Sequence, residues 1–232
     1  MKSRSLASPL LLVFCAYVWP ASPALAAEFH EIAGIESSTS ADDFWPASNL
    51  IQGPGVGFDQ NAPHDKLLGG GDGDWVTAAP GGFPSDYIDV AGAPVLTIDL
   101  GQDKRLSEIS TWGFTITNAN GVSEFSLRFA TDGEGPDGAG SSISFNPTYF
   151  MTNDDIARQT YPFGETIVAR YVELTASDNF FVAPGDGSGG GPIGGDRIGL
   201  GEVAFPVPEP ASLVLEIVAL VGVITARLRS RR

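Results

Sequence analysis

The sequence predicts an all-β domain built as a sandwich. Apolar and polar residues alternate over residues 111–117 and again over 124–129, as expected for strands with one buried face. Asn120-Gly121 lies between these runs and is typical of a hairpin turn. The body of the chain holds no ten-residue stretch with a 3.6-residue apolar period, so long amphipathic helices are not expected. Together these patterns favour strands joined by turns.

The first 26 residues have the features of a secretory signal peptide. Lys2 and Arg4 give a positive start, residues 6–19 are mostly apolar, and residues 24–26 read Ala-Leu-Ala. This is the small-x-small pattern that signal peptidase requires, so we place the cleavage after Ala26. Cys15 is removed with the signal, so we expect the mature chain to contain neither a disulfide nor a reactive thiol.

The body of the chain, residues 27–205, is strongly acidic. Residues 28–205 carry 7 Lys and Arg against 26 Asp and Glu, a net charge of −19, whereas residues 206–232 carry a net charge of +2. An acidic body repels the phosphate backbone, so we expect no nucleic-acid partner. It suits divalent cations or neutral partners such as sugars, although the acids also serve simply to solvate the surface.

Further strands follow in order along the body. They are predicted over residues 33–38, 95–100, 143–145, 167–176 and 200–205. Alternation within the fourth of these runs places Arg170 on the same face as Val168, Val172 and Leu174, so its side chain is predicted to point inward if those valines belong to the core. A buried guanidinium needs a buried acid, and Glu202 in the last strand is the expected partner.

The intervals between these strands are long and rich in glycine. They cover residues 53–92, 132–141 and 177–197. Long loops inside a compact domain are usually functional or mobile, so we expect the ligand site there. The aromatic residues with flat rings that can stack on a sugar lie in or beside these loops and are Trp75, Phe83, Tyr87, Phe180 and Phe181. The alternative for each ring is that it closes the end of the sandwich.

The C-terminal segment, residues 206–232, has three parts. Pro208, Glu209 and Pro210 come first, residues 211–226 are mostly apolar, and the end is basic. The basic residues are Arg227, Arg229, Arg231 and Arg232. As a helix, the apolar part would be about 24 Å long, enough to span a membrane if arginines snorkel. The positive end would stay in the cytoplasm and leave the acidic domain outside.

This three-part ending resembles the PEP-CTERM sorting signal of Gram-negative bacteria. The resemblance implies that an exosortase-type membrane enzyme processes the chain at the Pro-Glu-Pro motif. It also implies transient anchoring in the inner membrane, followed by release or attachment at the cell surface. Physically, the prolines hold their neighbours in extended geometry, which presents a stiff strand to an enzyme.

The body resembles the discoidin or coagulation-factor C-type module. The resemblance rests on the order of "ASNLIQG", "WVTA", "PVLTIDLGQ", "LSEISTWGF", "VSEFSLRFATDG", "ARYVELTA" and "GLGEVAF". It implies a galactose-binding-like jelly roll whose end loops bind sugars, lipids or proteins, often with a structural Ca²⁺. Calcium takes six to eight oxygen ligands. The candidate donors are Gln52, Asp72, Asp74 and Glu202.

These observations predict an exported, non-catalytic surface or matrix protein that binds glycan or exopolysaccharide. Two other readings remain open. One is a purely structural component of a matrix or biofilm without a small ligand. The other is a carboxylate-based glycoside hydrolase, since 28 Asp and Glu make acid pairs unavoidable. The two histidines have no zinc-like spacing, and we expect no required cofactor.

Overall fold

The computed structural model describes residues 29–41, 44–51, 73–116, 118–138, 148–150 and 158–208. Within these ranges the chain forms eight strands and one short α-helix. They are β1 (Gly34–Ser37), β2 (Trp75–Val76), α1 (Tyr87–Ala91), β3 (Val95–Trp112), β4 (Val122–Ala130), β5 (Thr148–Phe150), β6 (Gln159–Asn179), β7 (Gly199–Leu200) and β8 (Glu202–Ala204). Short 3₁₀ helices cover Ala47–Ile51 and Pro136–Gly138. The all-β prediction is therefore confirmed for the described residues.

Two long strands build both layers of the sandwich. The main sheet has the order β1-β3-β6-β4-β5, with β8 added to β3, and β2 pairs with β7 separately. All strand pairs are antiparallel. The first half of β3 pairs with β1 and with residues 171–175, while its second half pairs with β8 and with residues 159–162. Hence β3 and β6 bend together and pass from one layer to the other.

The core fills the space between the two layers. Phe125 and Phe129 on β4 meet Tyr161 and Phe163 from the first half of β6, with ring centroids 5.2 Å apart in both pairs. Residues of β4 are hydrogen-bonded to the second half of β6, so these edge-to-face contacts join opposite layers. The surrounding cluster contains fully buried side chains from most strands, including Leu96, Ile98, Leu106, Leu127, Leu174 and Phe205.

β3 and β6 bend at a corner, and the strand pairing there shows that one prediction is wrong. Pairing between β3 and β6 shifts between Asp99 and Lys104, and Gly101 takes a positive φ of 75° there. The shift changes the alternation of β6, because Ala169 and Val172 are both buried. Arg170 consequently does not enter the core beside Glu202.

Arg170 instead pairs with two acids near the surface of the corner. Its guanidinium donates to Asp99 at 2.8 and 2.9 Å and to Asp132 at 2.5 Å. The bonds from Arg170 hold the pKa of Asp99 below its ordinary value. The predicted Arg170–Glu202 pair is therefore wrong, and the reason is a strand irregularity that the residue pattern alone does not reveal.

The predicted hairpin at Asn120-Gly121 is also absent from the described pairing. β3 pairs with β1, β6 and β8, whereas β4 pairs with β5 and β6. Residues 113–121 cross between layers, and Phe114 is buried under Gly199 on the way. The strand predicted over 111–117 ends at Trp112, and the one predicted over 143–145 lies outside the described residues.

Candidate functional site

Several loops meet at the end of the sandwich opposite the corner. Residues 113–121 bond to residues 180–199 through Ala119 N–H to Ile193 O at 2.9 Å and Phe180 N–H to Ala119 O at 3.1 Å. The start of α1 joins them, because the Tyr87 N–H donates to Gly195 O at 2.8 Å. We call this surface the loop end, and it consists of residues 39–41, 44–51, 77–94, 113–116, 118–121 and 180–198. These cross-links give the loops a defined shape.

Two buried asparagines anchor the glycine-rich loop of residues 180–198. Asn120 Oδ1 accepts a bond from Gly195 N at 2.6 Å. Asn179 Nδ2 donates to Gly195 O at 2.8 Å and to Arg197 O at 3.2 Å, and its Oδ1 accepts from Phe181 N at 3.0 Å. These amides bond backbone groups at both ends of the loop, and they thereby fix the course of its backbone.

Glycines in this loop pack directly against an aromatic ring. A Cβ added to Gly195 or to Gly185 would lie 2.5 Å from an atom of the Phe181 ring. The absence of side chains at these positions lets the backbone lie over the ring. The glycines at these positions are therefore explained by close packing against Phe181. A high glycine content does not indicate here that the loop is mobile.

Replacing Gly195 by alanine should destabilise the domain more than replacing Gly190. Both glycines have positive φ, 100° and 82°, so both substitutions carry backbone strain. Only Gly195 has a neighbour for the new methyl group, the Phe181 ring. We expect Gly195→Ala to cost about 1–3 kcal/mol more in free energy of unfolding, the range for overpacking. Urea denaturation measures this, and equal losses for the two variants would contradict the packing.

Two of the five predicted stacking residues, Trp75 and Tyr87, are buried in the structure. Trp75 has 0% of its surface exposed and Tyr87 3%, so neither ring offers a face to a ligand. Trp75 lies in the core cluster, and its Nε1 donates to Thr39 O at 3.1 Å. Phe180 and Phe181 are half-buried, with Gly121 against the first and Gly185 and Gly195 against the second. Trp75 and Tyr87 therefore fit the alternative prediction, in which the aromatic rings close the end of the sandwich.

Other apolar residues are exposed at the loop end. Phe83 is 57% exposed in the segment before α1, and Phe44 is 68% exposed before the first 3₁₀ helix. Ile116, Val182 and Ile193 are exposed as well. Phe83 lies in a loop that the sequence marks as a candidate site. Phe44 lies outside the predicted glycine-rich intervals, so only the tertiary structure brings it to this end.

Charge at the loop end is mostly negative. Asp89, Asp178 and Asp186 are exposed, and bonds from Ser188 lower the pKa of Asp186. Arg197 is half-buried and donates through Nη1 to Thr77 O at 3.1 Å. The surface therefore combines exposed apolar side chains with exposed carboxyl groups.

Two of the four predicted calcium donors lie in the described part of the chain, and both are fully buried. Asp74 accepts hydrogen bonds from the Thr115 hydroxyl and from the Thr115 N–H, the latter at 3.4 Å. Burial raises the pKa of Asp74 to about 7. Glu202 follows Gly201, where an added Cβ would lie 3.4 Å from Asp74 Oδ1.

These residues do not fit a calcium cage. The Asp74 oxygens already bind Thr115, and within the described ranges no three His, Cys, Asp or Glu side chains are grouped so as to hold a metal. Calcium takes six to eight oxygens, which two acids do not supply. Gln52 and Asp72 lie outside the described residues.

The segments predicted to direct sorting are mostly outside the described residues. These are the signal peptide, Glu209, Pro210, the apolar run over 211–226 and the four terminal arginines. Pro208 is described and half-buried. Of the helices in the described ranges, none has the length and apolar character needed to cross a membrane.

Comparison with known proteins gives matches among solved structures only. No protein-family model and no curated protein matches the chain. It is similar to a family 32 carbohydrate-binding module of NanJ from Clostridium perfringens solved with galactose, at 15% identity and TM-score 0.45, covering 76% of this chain and 93% of that one.

Two further solved structures have comparable similarity. A family 32 module of a family 31 glycoside hydrolase from Clostridium perfringens is 16% identical, with TM-score 0.46 and coverage of 75% and 90%. A fucolectin from striped bass, Morone saxatilis, is 14% identical, with TM-score 0.46 and coverage of 76% and 47%.

Proposed function

We propose that this protein is an exported, non-catalytic binder of glycan or exopolysaccharide that uses its loop end. The observation that carries the proposal is the exposed Phe83 ring, 57% accessible on a set of loops cross-linked by buried amides. A flat ring held on a rigid surface can stack on the apolar face of a sugar at little cost in conformational entropy. The acidic surroundings favour a neutral polymer over an acidic one.

The positions of the carboxylates support binding rather than hydrolysis. A glycosidase needs a protonated acid that reaches the glycosidic oxygen. Among the described carboxyls, Asp74 has a pKa raised to about 7, but it is fully buried and is held by Thr115. It is therefore out of reach of a polysaccharide chain.

Binding is tested with the full-length chain in detergent on a glycan array and in polysaccharide pull-downs. We expect retention of at least one neutral glycan or exopolysaccharide. Failure to retain any polymer would favour the purely structural matrix component. Turnover of a retained polymer, abolished by one Asp or Glu substitution, would favour the hydrolase.

Replacing Phe83 by alanine should weaken retention of the bound polymer at least tenfold, about 1.4 kcal/mol, without lowering stability. The ring is mostly exposed, so its loss removes a ligand contact and little core packing. The matched control is Val168→Ala, an exposed apolar residue at the corner. If Phe83→Ala and Val168→Ala retain the polymer equally well, Phe83 is not part of the binding site. Phe44→Ala would then be tested next.

We propose further that an exosortase-type enzyme processes the chain at Pro208-Glu209-Pro210 after signal peptidase has acted. The order of motif, apolar run and arginines supports this. Until then the apolar run would anchor the chain in the inner membrane with the acidic domain outside. Mass spectrometry of the mature C-terminus in an exosortase-competent host tests it. We expect a chain that lacks residues 211–232, and recovery of intact Arg232 would contradict the proposal.

A further inference from the structure

A cavity lies at the corner of the sandwich, at the opposite end from the loop end. Its volume is about 280 Å³, just below the range of about 300–1,000 Å³ that small-molecule sites occupy, so one small molecule would fill it. We call it the corner cavity. The residues that line it are Glu31, Ala33, Leu100, Gly101, Gln102 and Lys104.

Three polar side chains line the corner cavity with unused capacity for hydrogen bonds. Among the described residues, the side chains of Glu31, Gln102 and Lys104 form no hydrogen bond and no ion pair. A carboxylate only accepts, an ammonium group only donates, and a carboxamide does both. Beneath them Leu100 is buried, with 3% of its surface exposed, and it supplies an apolar floor. The cavity therefore offers every kind of polar contact around an apolar base.

The wall of the corner cavity is fixed by the ion pairs of Arg170. The Gly101 N–H donates to Asp99 Oδ1 at 2.7 Å, and the Asp132 N–H donates to Asp103 Oδ1 at 2.7 Å. Arg170 joins both sides of this turn, because its guanidinium binds Asp99 and Asp132. A wall that is already held in place loses little conformational entropy when a ligand enters.

The lining favours a neutral sugar ring as the ligand. Hydroxyl groups both donate and accept, so one ring can bond a carboxylate, an amide and an ammonium group while its apolar face lies on Leu100. A zwitterion would depend on the charges of Glu31 and Lys104. Glu31 is exposed, and water and salt weaken the attraction of an exposed charge. Asp103 is exposed on the same turn and disfavours an acidic sugar.

We propose that the corner cavity is a second carbohydrate-binding site, which makes the protein bivalent. The choice of a sugar as ligand rests on the proposed function, in which the loop end binds a neutral glycan. β4 runs between the two ends over Val122–Ala130, a distance of about 30 Å. Because the two sites lie at opposite ends of the domain, one molecule links two polymer chains.

Binding at the corner is measured with single sugars, independently of any polymer. The full-length isotope-labelled chain in detergent is titrated separately with glucose, galactose, mannose and N-acetylglucosamine. We expect one of these sugars to shift the amide NMR signals of Gly101, Gln102 and Lys104, with a dissociation constant of about 1 mM, as befits a small ligand. If none of them shifts these signals, the inference is wrong.

The corner variant, Glu31→Ala/Gln102→Ala, tests the polar groups. Both side chains are exposed, so their loss should leave the fold intact. We expect affinity for the sugar to fall about tenfold, because two hydrogen-bonding groups are lost. Glu36→Ala is the matched control, an exposed acid on β1 outside the cavity, and should bind as the wild type does. Equal affinity of the corner variant and the wild type would overturn the inference.

Glycine is titrated in the same way as a small zwitterion. We expect it to leave the corner signals unchanged. If glycine shifts them and no sugar does, the cavity binds a zwitterion and the assignment of a sugar is wrong.

Bivalency is measured by light scattering with the polymer that the chain retains. Detergent is present in excess, so that each micelle holds one chain. Linked polymer chains should scatter about tenfold more with the wild type than with the corner variant or with Phe83→Ala, each of which keeps one intact site. Both variants should still bind the polymer, though more weakly. Scattering by the corner variant that equals that of the wild type would refute bivalency, as would polymer retention without increased scattering.

These measurements separate the corner site from the proposed function. A wild-type chain that retains no polymer but binds a single sugar at the corner would refute glycan binding by the loop end and support the corner site. A wild-type chain that retains a polymer, but whose corner signals respond to no sugar, would support the proposed function and refute the corner site.

Discussion

Replacing Trp75 by alanine is expected to destabilise the domain by about 3–5 kcal/mol, the cost of removing a large buried aromatic side chain. Trp75 is fully buried in the core cluster, and β2 pairs it with Leu200. Its Nε1 also donates to Thr39 O at 3.1 Å, so the truncation removes this hydrogen bond as well. Because domains of this size are stable by about 5–15 kcal/mol, such a loss is large.

Urea denaturation of the full-length chain measures the effect. Phe83→Ala is the matched control, because it truncates an exposed ring and should change the free energy of unfolding by less than about 0.5 kcal/mol. Trp75→Phe should fall between the two, since it keeps most of the volume and loses the bond to Thr39. If Trp75→Ala were as stable as the wild type but no longer retained the polymer, Trp75 would belong to the ligand site.

Asp74 is expected to make the stability of the domain fall as pH rises from about 4 to 7. Burial raises its pKa from 3.8 to about 7, so in this window the folded state binds the proton more tightly than the unfolded state. Stability therefore decreases as the proton is lost. Above the folded pKa the accumulated cost is about 4 kcal/mol, at 1.36 kcal/mol for each unit of pKa. Below pH 3.8 both states are protonated and the cost disappears.

The substitution Asp74→Asn should remove this dependence. The amide stays neutral and still offers an oxygen to the Thr115 N–H, so the variant should be more stable than the wild type at pH 8 and similar at pH 4. Denaturation curves from pH 4 to 8 measure the difference. Asp186→Asn is the control, because the pKa of Asp186 is lowered and it titrates outside this window. Parallel profiles for wild type and Asp74→Asn would show that Asp74 titrates near 3.8 in the folded state as well.

The residue pattern predicted the strands well where one face is buried and the other is not. β4 matches the alternation at 124–129, and β6 contains the run predicted at 167–176. Alternation of apolar and polar residues indicates which face of a strand is buried. This pattern is visible in a residue and its near neighbours in the sequence. It missed α1, since five residues with an Asp86 cap are too short to show a helical period.

The candidate site was predictable only in part. Glycine-rich loops do meet at one end of the sandwich, and Phe83 lies in one of them. The sequence could not separate rings that close the core from a ring that faces solvent, because Trp75 and Phe83 lie in similar loop contexts. Exposure of an aromatic ring depends on which distant segment covers it, and that is a property of the packed structure.

By itself the sequence determined the all-β class and the acidic body, and it predicted the order of the processing signals, because each depends on composition or on local spacing. Only the tertiary structure decided which acids are buried, which partner Arg170 takes and which ends of the chain meet. Those outcomes depend on pairs far apart in sequence, such as Asp99 with Arg170 and Phe29 with Pro206. An irregularity of one residue in a strand moves the side chains that follow it to the opposite face of the sheet. The register of distant strands therefore decides these contacts.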